Sequence, residues 1–458
     1  MTTPATDVVV IGAGAGGGAC AWALTAAGLH VTVLEAGPAY DPGRDYRVDT
    51  PVWELDGFPH KVAPGGRQTV APLQPLAAGF AHLRARNALH GALTRGERRS
   101  NWGYQHVAGV GGSTLHFTGE AHRLHPRAFT LARDHGVGAD WPLDYAALEP
   151  WYEQAEQIVG VAAATDDGRT PRRRPPPLPP HAPSYASQRL GAGARALGLG
   201  WVANPLAVLS APWRGRPPCN YCGQCARGCP RRDKGSVDLT FIADARASGR
   251  CTIVSEASVT NIVRGERDRV RGVEYHDAAG ALQRLAARAV VVACGAVETP
   301  RLLLNCDGLG NESGQVGRHF LETLYYVVSA EHPEPLGSHR GHPADSICWD
   351  FNAPDAIPGI PGGCRFTPGM AETDLTGPLA YARRVVGGWG RAHHAAMRAR
   401  FGHVLTVAAI GETLPHARAF VDLDADARDA RGLPRARINA WLGDSDLGRL
   451  DFMARTAR

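Results

Sequence analysis

The chain has 458 residues, of which 44% are hydrophobic and 20% are charged, enough for two or three globular domains with substantial cores. This composition excludes a disordered or fibrous protein. The formal charge of +5 reflects 47 arginines and two lysines against 44 acidic residues. It is spread thinly along the chain, so composition alone does not indicate a nucleic-acid or membrane-surface role.

Cysteine usage and the lack of long apolar runs bear on location. No run approaches the roughly 18 apolar residues of a membrane-spanning helix, and the N-terminus has no pattern typical of an export signal. Four of the 10 cysteines cluster near residue 220 and the others are scattered. We therefore predict a reducing, cytoplasmic location without a membrane span, with co-export beside a partner subunit as the alternative.

The first 36 residues predict a βαβ unit. A short β-branched run ends at Ile11, a glycine-rich turn and a helix of small residues extend to about Gly28, and a second apolar strand spans Val31–Leu34. Such runs are typical of parallel strands that are buried on both faces.

The turn inside this unit has the pattern of a dinucleotide site. Gly12 permits a tight turn, Gly14 lets the backbone approach a pyrophosphate, and Gly17 lets the helix pack closely on the strand. Glu35, at the end of the second strand, can accept hydrogen bonds from a ribose. Both strands, the helix and the acid are in register, so we predict that a dinucleotide binds here.

Two helices are predicted next, near Ala77–Leu89 and over Trp141–Val159, the second with Asp144 as its N-cap. The predicted apolar face of the second helix consists of Leu148, Trp151, Tyr152 and Ala155. Between the two helices lies a second glycine cluster, Gly109–Phe117. Its glycines allow the backbone to lie against a flat ring or a phosphate, and Ser113 and Thr114 can add donors, although such a segment can also be an ordinary turn.

Cys219, Cys222, Cys225 and Cys229 have the spacing of a bacterial ferredoxin run. An iron–sulfur cluster, a zinc ion and metal-free packing all remain open for these residues. Beyond them the pattern returns to strands. Three are expected to form a small antiparallel layer: Thr252–Val254, Val259–Val263 and Val270–Tyr275. Three more strands are predicted at Val290–Ala293, Tyr325–Ala330 and Val404–Ile410.

Four segments in this order resemble the glucose–methanol–choline (GMC) family of FAD-dependent alcohol and sugar oxidoreductases, in particular its gluconate- and sugar-dehydrogenase-like branch. They are the βαβ unit ending in Leu34–Gly37, then Gly109–Phe117 with Trp141–Leu143 and Tyr152, then the cysteine segment with Lys234 and Ser236, and finally Cys294–Leu303.

The resemblance implies an α/β fold in which a Rossmann-like FAD-binding domain carries an α+β substrate (cap) domain. The FAD-binding domain would comprise residues 1–160 and 219–320, with a linker and substrate-domain segment at 161–218 and a substrate domain, expected to be truncated, at 321–458. The implied FAD-binding residues are Gly12, Gly14, Gly17, Glu35, Gly111, Gly112, Ser113, Thr114, His116, Val259 and Gly295. Some family members join a histidine such as His116 covalently to the flavin, but we favour simple packing against the ring.

The implied activity is oxidation of CH–OH groups of alcohols, sugars or sugar acids by hydride transfer to flavin N5. Electrons would pass to a quinone or a cytochrome subunit, in some relatives through an iron–sulfur cluster. No nucleic-acid partner is expected. The family's catalytic His-x-x-Gly-Thr segment is not found in this sequence, and His393 and His394 are expected to be solvated, so no catalytic residue is assigned. The alternative is a truncated, non-catalytic flavin-binding remnant, or an electron-transfer subunit that uses the cysteines 219–229.

Overall fold

The computed structural model describes residues 6–48, 68–70, 74, 76–80, 83, 107–166, 168–369, 375 and 377–458. The strands of this part are β1 Val8–Ile11, β2 Val31–Leu34, β3 Gln68–Val70, β4 Val202–Ala203, β5 Cys251–Val254, β6 Ser258–Arg264, β7 Val270–His276, β8 Leu282–Ala286, β9 Ala289–Val292, β10 Leu324–Glu331, β11 Ser346–Ile347, β12 Cys364–Pro368, β13 Val404–Gly411, β14 Phe420–Arg428 and β15 Pro434–Asn439. The α-helices are α1 Ala15–Ala26, α2 Pro42–Asp45, α3 Leu131–His135, α4 Tyr145–Val159, α5 Tyr185–Ala196, α6 Phe241–Ala247, α7 Gly295–Asn305, α8 Pro378–Tyr381, α9 Gly390–Arg400 and α10 Asp444–Ala457.

A four-stranded parallel sheet in the order β5-β2-β1-β9 organises the first half of the fold. It confirms the predicted βαβ unit and the strand near Val290–Ala293. The assignment of Thr252–Val254 to an antiparallel layer is wrong, because β5 pairs in parallel with β2, Val31 opposite Cys251. The antiparallel layer consists instead of β6, β7 and the additional strand β8.

Both faces of the parallel sheet are covered, which explains its uniformly apolar strands. On one face, Val10 and Val33 pack against α1 and against Phe241 and Ile242 of α6. On the other face, Val9 and Ile11 belong to a core that includes residues of β6, β7 and α7. The carboxyl ends of β1, β2 and β9 therefore open together at one edge between these two layers.

A second sheet, β10-β13-β12, is antiparallel and confirms the strands predicted at Tyr325–Ala330 and Val404–Ile410. Leu450 and Met453 of α10 are fully buried against one of its faces. The β14–β15 hairpin joins a third sheet, in which β15 runs parallel to β3 from the first part of the chain.

Helix α4 begins at Tyr145, and its predicted N-cap is confirmed because Asp144 accepts a hydrogen bond from the backbone of Ala147. Its predicted apolar face is wrong, since Trp151 is 63% exposed. The helix instead buries Glu149 and Glu156, which pair with the guanidinium of Arg123, itself 2% exposed.

The helix predicted near Ala77–Leu89 lies largely outside the described residues, and Ala78–Phe80 form a short 3-10 turn. Within the described ranges, no helix combines the length and the apolar character needed to cross a membrane.

Candidate cofactor site

A cleft of about 590 Å³ opens at the carboxyl ends of β1, β2 and β9. Parallel sheets with helices on their faces commonly bind ligands at this edge. Eight residues of the predicted cofactor site line the cleft: Gly12, Gly14, Glu35, Gly112, Ser113, Thr114, Val259 and Gly295. The other three, Gly17, Gly111 and His116, are not among the lining residues.

Two glycines of the first turn have no room for a side chain. Gly12 has φ +98°, and a Cβ on it would lie 2.6 Å from the carbonyl oxygen of Ala293. A Cβ on Gly17 would lie 1.9 Å from the carbonyl oxygen of Gly12. The turn and the close packing of α1 on β1 therefore require glycine at both positions.

The N-terminus of α1 faces the cleft and suits a bound pyrophosphate. Its N-cap is Gly14, no side chain caps the first turn, and no acidic residue lies there. A Cβ on Gly16 would meet nothing within 4 Å, so the space in front of these amides is open. Free N–H groups at the positive end of a helix attract phosphate, so these residues fit the diphosphate of FAD.

The second glycine segment lies directly against the first. A Cβ on Gly112, at φ +54°, would lie 2.7 Å from the Cα atom of Gly14, and the backbone N–H of Gly111 donates to the carbonyl of Ala13 at 2.9 Å. The two segments are nearly 100 residues apart in sequence. Together they form one continuous backbone wall of the cleft.

The carboxylate of Glu35 accepts hydrogen bonds from the backbone of both glycine segments. Its Oε2 accepts a hydrogen bond from Ala13 N at 2.8 Å, and its Oε1 accepts from Gly37 N at 2.9 Å and from Gly109 N at 3.1 Å. The side chain is 7% exposed and lines the cleft. The predicted ribose acceptor therefore also aligns the backbone around it.

The hydroxyls of Ser113 and Thr114 differ in whether they are free to donate a hydrogen bond to a ligand. The Thr114 hydroxyl donates to the carbonyl of Gly111 at 2.5 Å and accepts from Val237 N at 3.0 Å. The single hydrogen of the Thr114 hydroxyl is therefore used inside the segment. Ser113 is exposed at the cleft and remains the candidate donor.

The cysteine segment forms hydrogen bonds with the second glycine segment. The ammonium of Lys234, which is 1% exposed, donates to the carbonyls of Leu115, Phe117 and Cys225 at 3.0, 2.9 and 2.6 Å. Burial lowers the pKa of Lys234. The Nδ1 atom of His116 lies 2.7 Å from the carbonyl oxygen of Ala226, and because a carbonyl only accepts, Nδ1 carries the hydrogen.

The four thiols of this segment are near enough to raise one another's pKa, but they do not form a metal-binding group. Cys229 donates to a carboxylate oxygen of Asp233 at 3.1 Å, and Cys222 is exposed. Burial raises the pKa of Cys219 to about 12 and that of Cys229 to about 11. No group of three or more His, Cys, Asp or Glu side chains that could hold a metal ion occurs among the described residues.

Sequence reasoning missed the contribution of the β14–β15 hairpin to the cleft. Asp429, Arg431 and Leu433, at its tip, line the cleft beside α7. Arg301 of α7 pairs with Asp429 at 2.6 Å and with Glu298 at 2.9 Å. The only sequence signal was the turn composition of this tip, which does not say where a hairpin will lie.

Comparisons with known proteins agree with this geometry. The family model for the GMC oxidoreductase matches residues 181–324, and a model for an NAD(P)-binding Rossmann-like domain matches residues 10–68. The 2-methyl-1,2-propanediol dehydrogenase of Mycolicibacterium austroafricanum is 30% identical over 99% of this chain and 80% of the relative. The chain belongs to the GMC oxidoreductase family.

One further relative and two solved structures are also similar to this chain. The fructose dehydrogenase large subunit of Gluconobacter japonicus is 27% identical over 96% of this chain and 80% of its own length. Among solved structures, formate oxidase from Aspergillus oryzae superposes with a TM-score of 0.62 at 15% identity, over 100% of this chain and 81% of that one. Pyridoxine 4-oxidase from Mesorbium loti gives a TM-score of 0.60 at 18% identity, over 99% and 80%. These two structures show the common fold, and family membership makes this chain an FAD-dependent alcohol or sugar oxidoreductase.

Proposed function

We propose that the protein oxidises a CH–OH group of a small alcohol, sugar or sugar acid. The observation that carries this proposal is the contact between the two glycine segments over Glu35, which forms an open wall beside the uncapped N-terminus of α1. Bound FAD supplies the hydride acceptor, at flavin N5.

The chain's own residues would then bind the cofactor and orient it. The amides at the N-terminus of α1 hold the diphosphate, and Glu35 accepts hydrogen bonds from the adenosine ribose. Residues 111–114 support the flavin side, and Lys234 fixes that segment through three backbone carbonyls. His116, tethered through Nδ1, packs against the ring in this proposal. Residues 1–160 and 219–320 would form the FAD-binding domain, with the substrate domain at 321–458.

The electron acceptor is proposed to be a quinone or a cytochrome subunit. The fructose dehydrogenase relative is named as a large subunit, which supports a partner for this chain. The alternative that electrons pass through Cys219–Cys229 finds no support in the arrangement of the thiols. Iron and labile-sulfide assays on the pure protein test that alternative. We also propose a reducing, cytoplasmic location, in which the 10 cysteines would stay reduced.

The test is anaerobic reduction of the bound flavin by a panel of alcohols, polyols and sugar acids, followed by absorbance. We expect at least one substrate to bleach the flavin, and more slowly when its carbinol carbon carries deuterium. FAD that binds but is reduced by no substrate would favour the non-catalytic alternative. Acid precipitation settles the linkage to His116, because flavin that stays with the pellet would contradict simple packing.

A further inference from the structure

The connection between β12 and β13 carries a strongly basic surface. This connection, residues 369–403, contains five arginines and three histidines against two acidic residues, Glu372 and Asp374. This connection includes α8, a π-helical turn at Ala382–Val386, and α9. Positive charge that is diluted over the whole chain is therefore concentrated in this one part of the molecule.

Four of the five arginines have no acidic partner. Arg400 pairs with Glu331 at 2.6 Å. Arg383, Arg384, Arg391 and Arg398 are exposed and make no ion pair or side-chain hydrogen bond anywhere in the part of the chain that the structure describes. Their charges are uncompensated and remain available for an anionic partner.

Helix α9 presents two of these charges on one face. Arg391, His394, Ala395 and Arg398 follow the i, i+3, i+4, i+7 spacing and are all exposed, whereas Met397 on the other side is half-buried. Arg391 lies in the first turn, where the positive end of the helix disfavours a cation. Helix stability therefore does not explain this arginine.

Trp389 precedes α9 and is 90% exposed. The glycines on either side of it, Gly388 and Gly390, have φ values of 67° and 74°, which only glycine adopts readily. Before the π-helical turn, Tyr381 is 0% exposed and donates to Glu331 at 2.5 Å. The same connection thus carries one exposed indole and four unpaired arginines.

We propose that this basic face, defined as Arg383, Arg384, Trp389, Arg391 and Arg398, binds the surface of an anionic phospholipid bilayer. Arginines near such a surface are attracted to its negative potential, and tryptophan prefers the boundary between head groups and acyl chains. A single exposed indole amid dispersed charges suits that boundary better than a protein partner, which would need a larger apolar centre. The resulting contact is peripheral and weakens with salt.

The test is flotation of the full-length FAD-loaded protein with phosphatidylcholine vesicles, with or without about one third phosphatidylglycerol. We expect binding only to the anionic vesicles, and its loss at high salt. Each arginine removed should weaken binding about fivefold, so Arg391→Gln with Arg398→Gln should weaken it about 25-fold. Replacing Arg391 removes an unfavourable charge from the first turn of α9, so this variant should stay folded.

The matched control removes two exposed, unpaired arginines elsewhere, Arg189→Gln with Arg250→Gln, and should retain vesicle binding. Bromine-labelled lipid should quench the fluorescence of the wild-type protein more than that of Trp389→Phe. Equal loss of binding in the control and the test variant would overturn the proposal. So would absence of vesicle binding together with Arg391-dependent binding to an acidic cytochrome, which would assign the basic face to a protein partner.

Discussion

Replacing Glu35 with glutamine tests whether one carboxylate aligns both glycine segments. The carboxylate accepts three backbone hydrogen bonds, one through Oε2 and two through Oε1. A glutamine side chain can still accept hydrogen bonds from Gly37 and Gly109 through its amide oxygen. Its amide nitrogen then faces the backbone N–H of Ala13, and both of these groups are donors. The variant therefore loses the charge-assisted hydrogen bond from Ala13. Such a bond contributes about 1.5–3 kcal/mol. If this energy appears in cofactor binding, Glu35→Gln should weaken FAD affinity about 10- to 150-fold.

The measurement is a titration of the apoprotein with FAD, followed by quenching of flavin fluorescence. Glu256→Gln is the matched control, because this carboxylate is exposed in the loop that follows β5. It should leave FAD affinity unchanged. An affinity of Glu35→Gln within twofold of wild type would refute the argument that this carboxylate sets the geometry of the wall.

The remaining predictions concern the turn, the buried ion network and pH. Gly12→Ala should abolish FAD retention on purification because its Cβ would collide with a backbone oxygen, whereas Gly193→Ala in α5, which has open space away from the cleft, should retain the flavin. Arg123→Ala leaves Glu149 with only Arg173 and Glu156 with only Arg172, and should cost about 3 kcal/mol of the free energy of unfolding, measured by urea denaturation. Burial lowers the pKa of His122 to about 4 and of His342 to about 3. Below about pH 6.5 the unfolded chain therefore binds more protons than the folded one, and the free energy of unfolding should fall toward pH 4 by up to about 3 kcal/mol per pH unit. Substituting both histidines with asparagine should flatten that slope.

Local patterns made much of the first domain predictable. The βαβ unit is encoded by contiguous apolar runs and a glycine turn, each of which determines its own conformation. Strand direction was not predictable for Cys251–Val254, because whether a strand is parallel depends on its partner, here Val31–Leu34, more than 200 residues away. The face of α4 was misassigned for a related reason, since Glu149 becomes buried only when Arg123 reaches it.

The cofactor site was predictable in its composition and less so in its connections. Spacing alone indicated Gly12 and Gly14, whereas the contact between Gly14 and Gly112 depends on tertiary packing. Lys234 was identified only through family resemblance, and its three carbonyl partners emerge from the fold. The hairpin tip at Asp429 carries no motif, so no sequence signal places it at the cleft.

The order of strands in the parallel sheet has a consequence for the nascent chain. Strand β1 lies between β2 and β9, and β9 begins only at Ala289. A ribosome that adds about 5–20 residues per second needs roughly 15–60 s to synthesise the intervening chain. Throughout that interval the strand at Val8–Ile11 presents an unpaired apolar edge, the kind of surface on which neighbouring polypeptides aggregate. Recovery of this flavoprotein from cells is therefore expected to depend on the chaperones that meet it during translation.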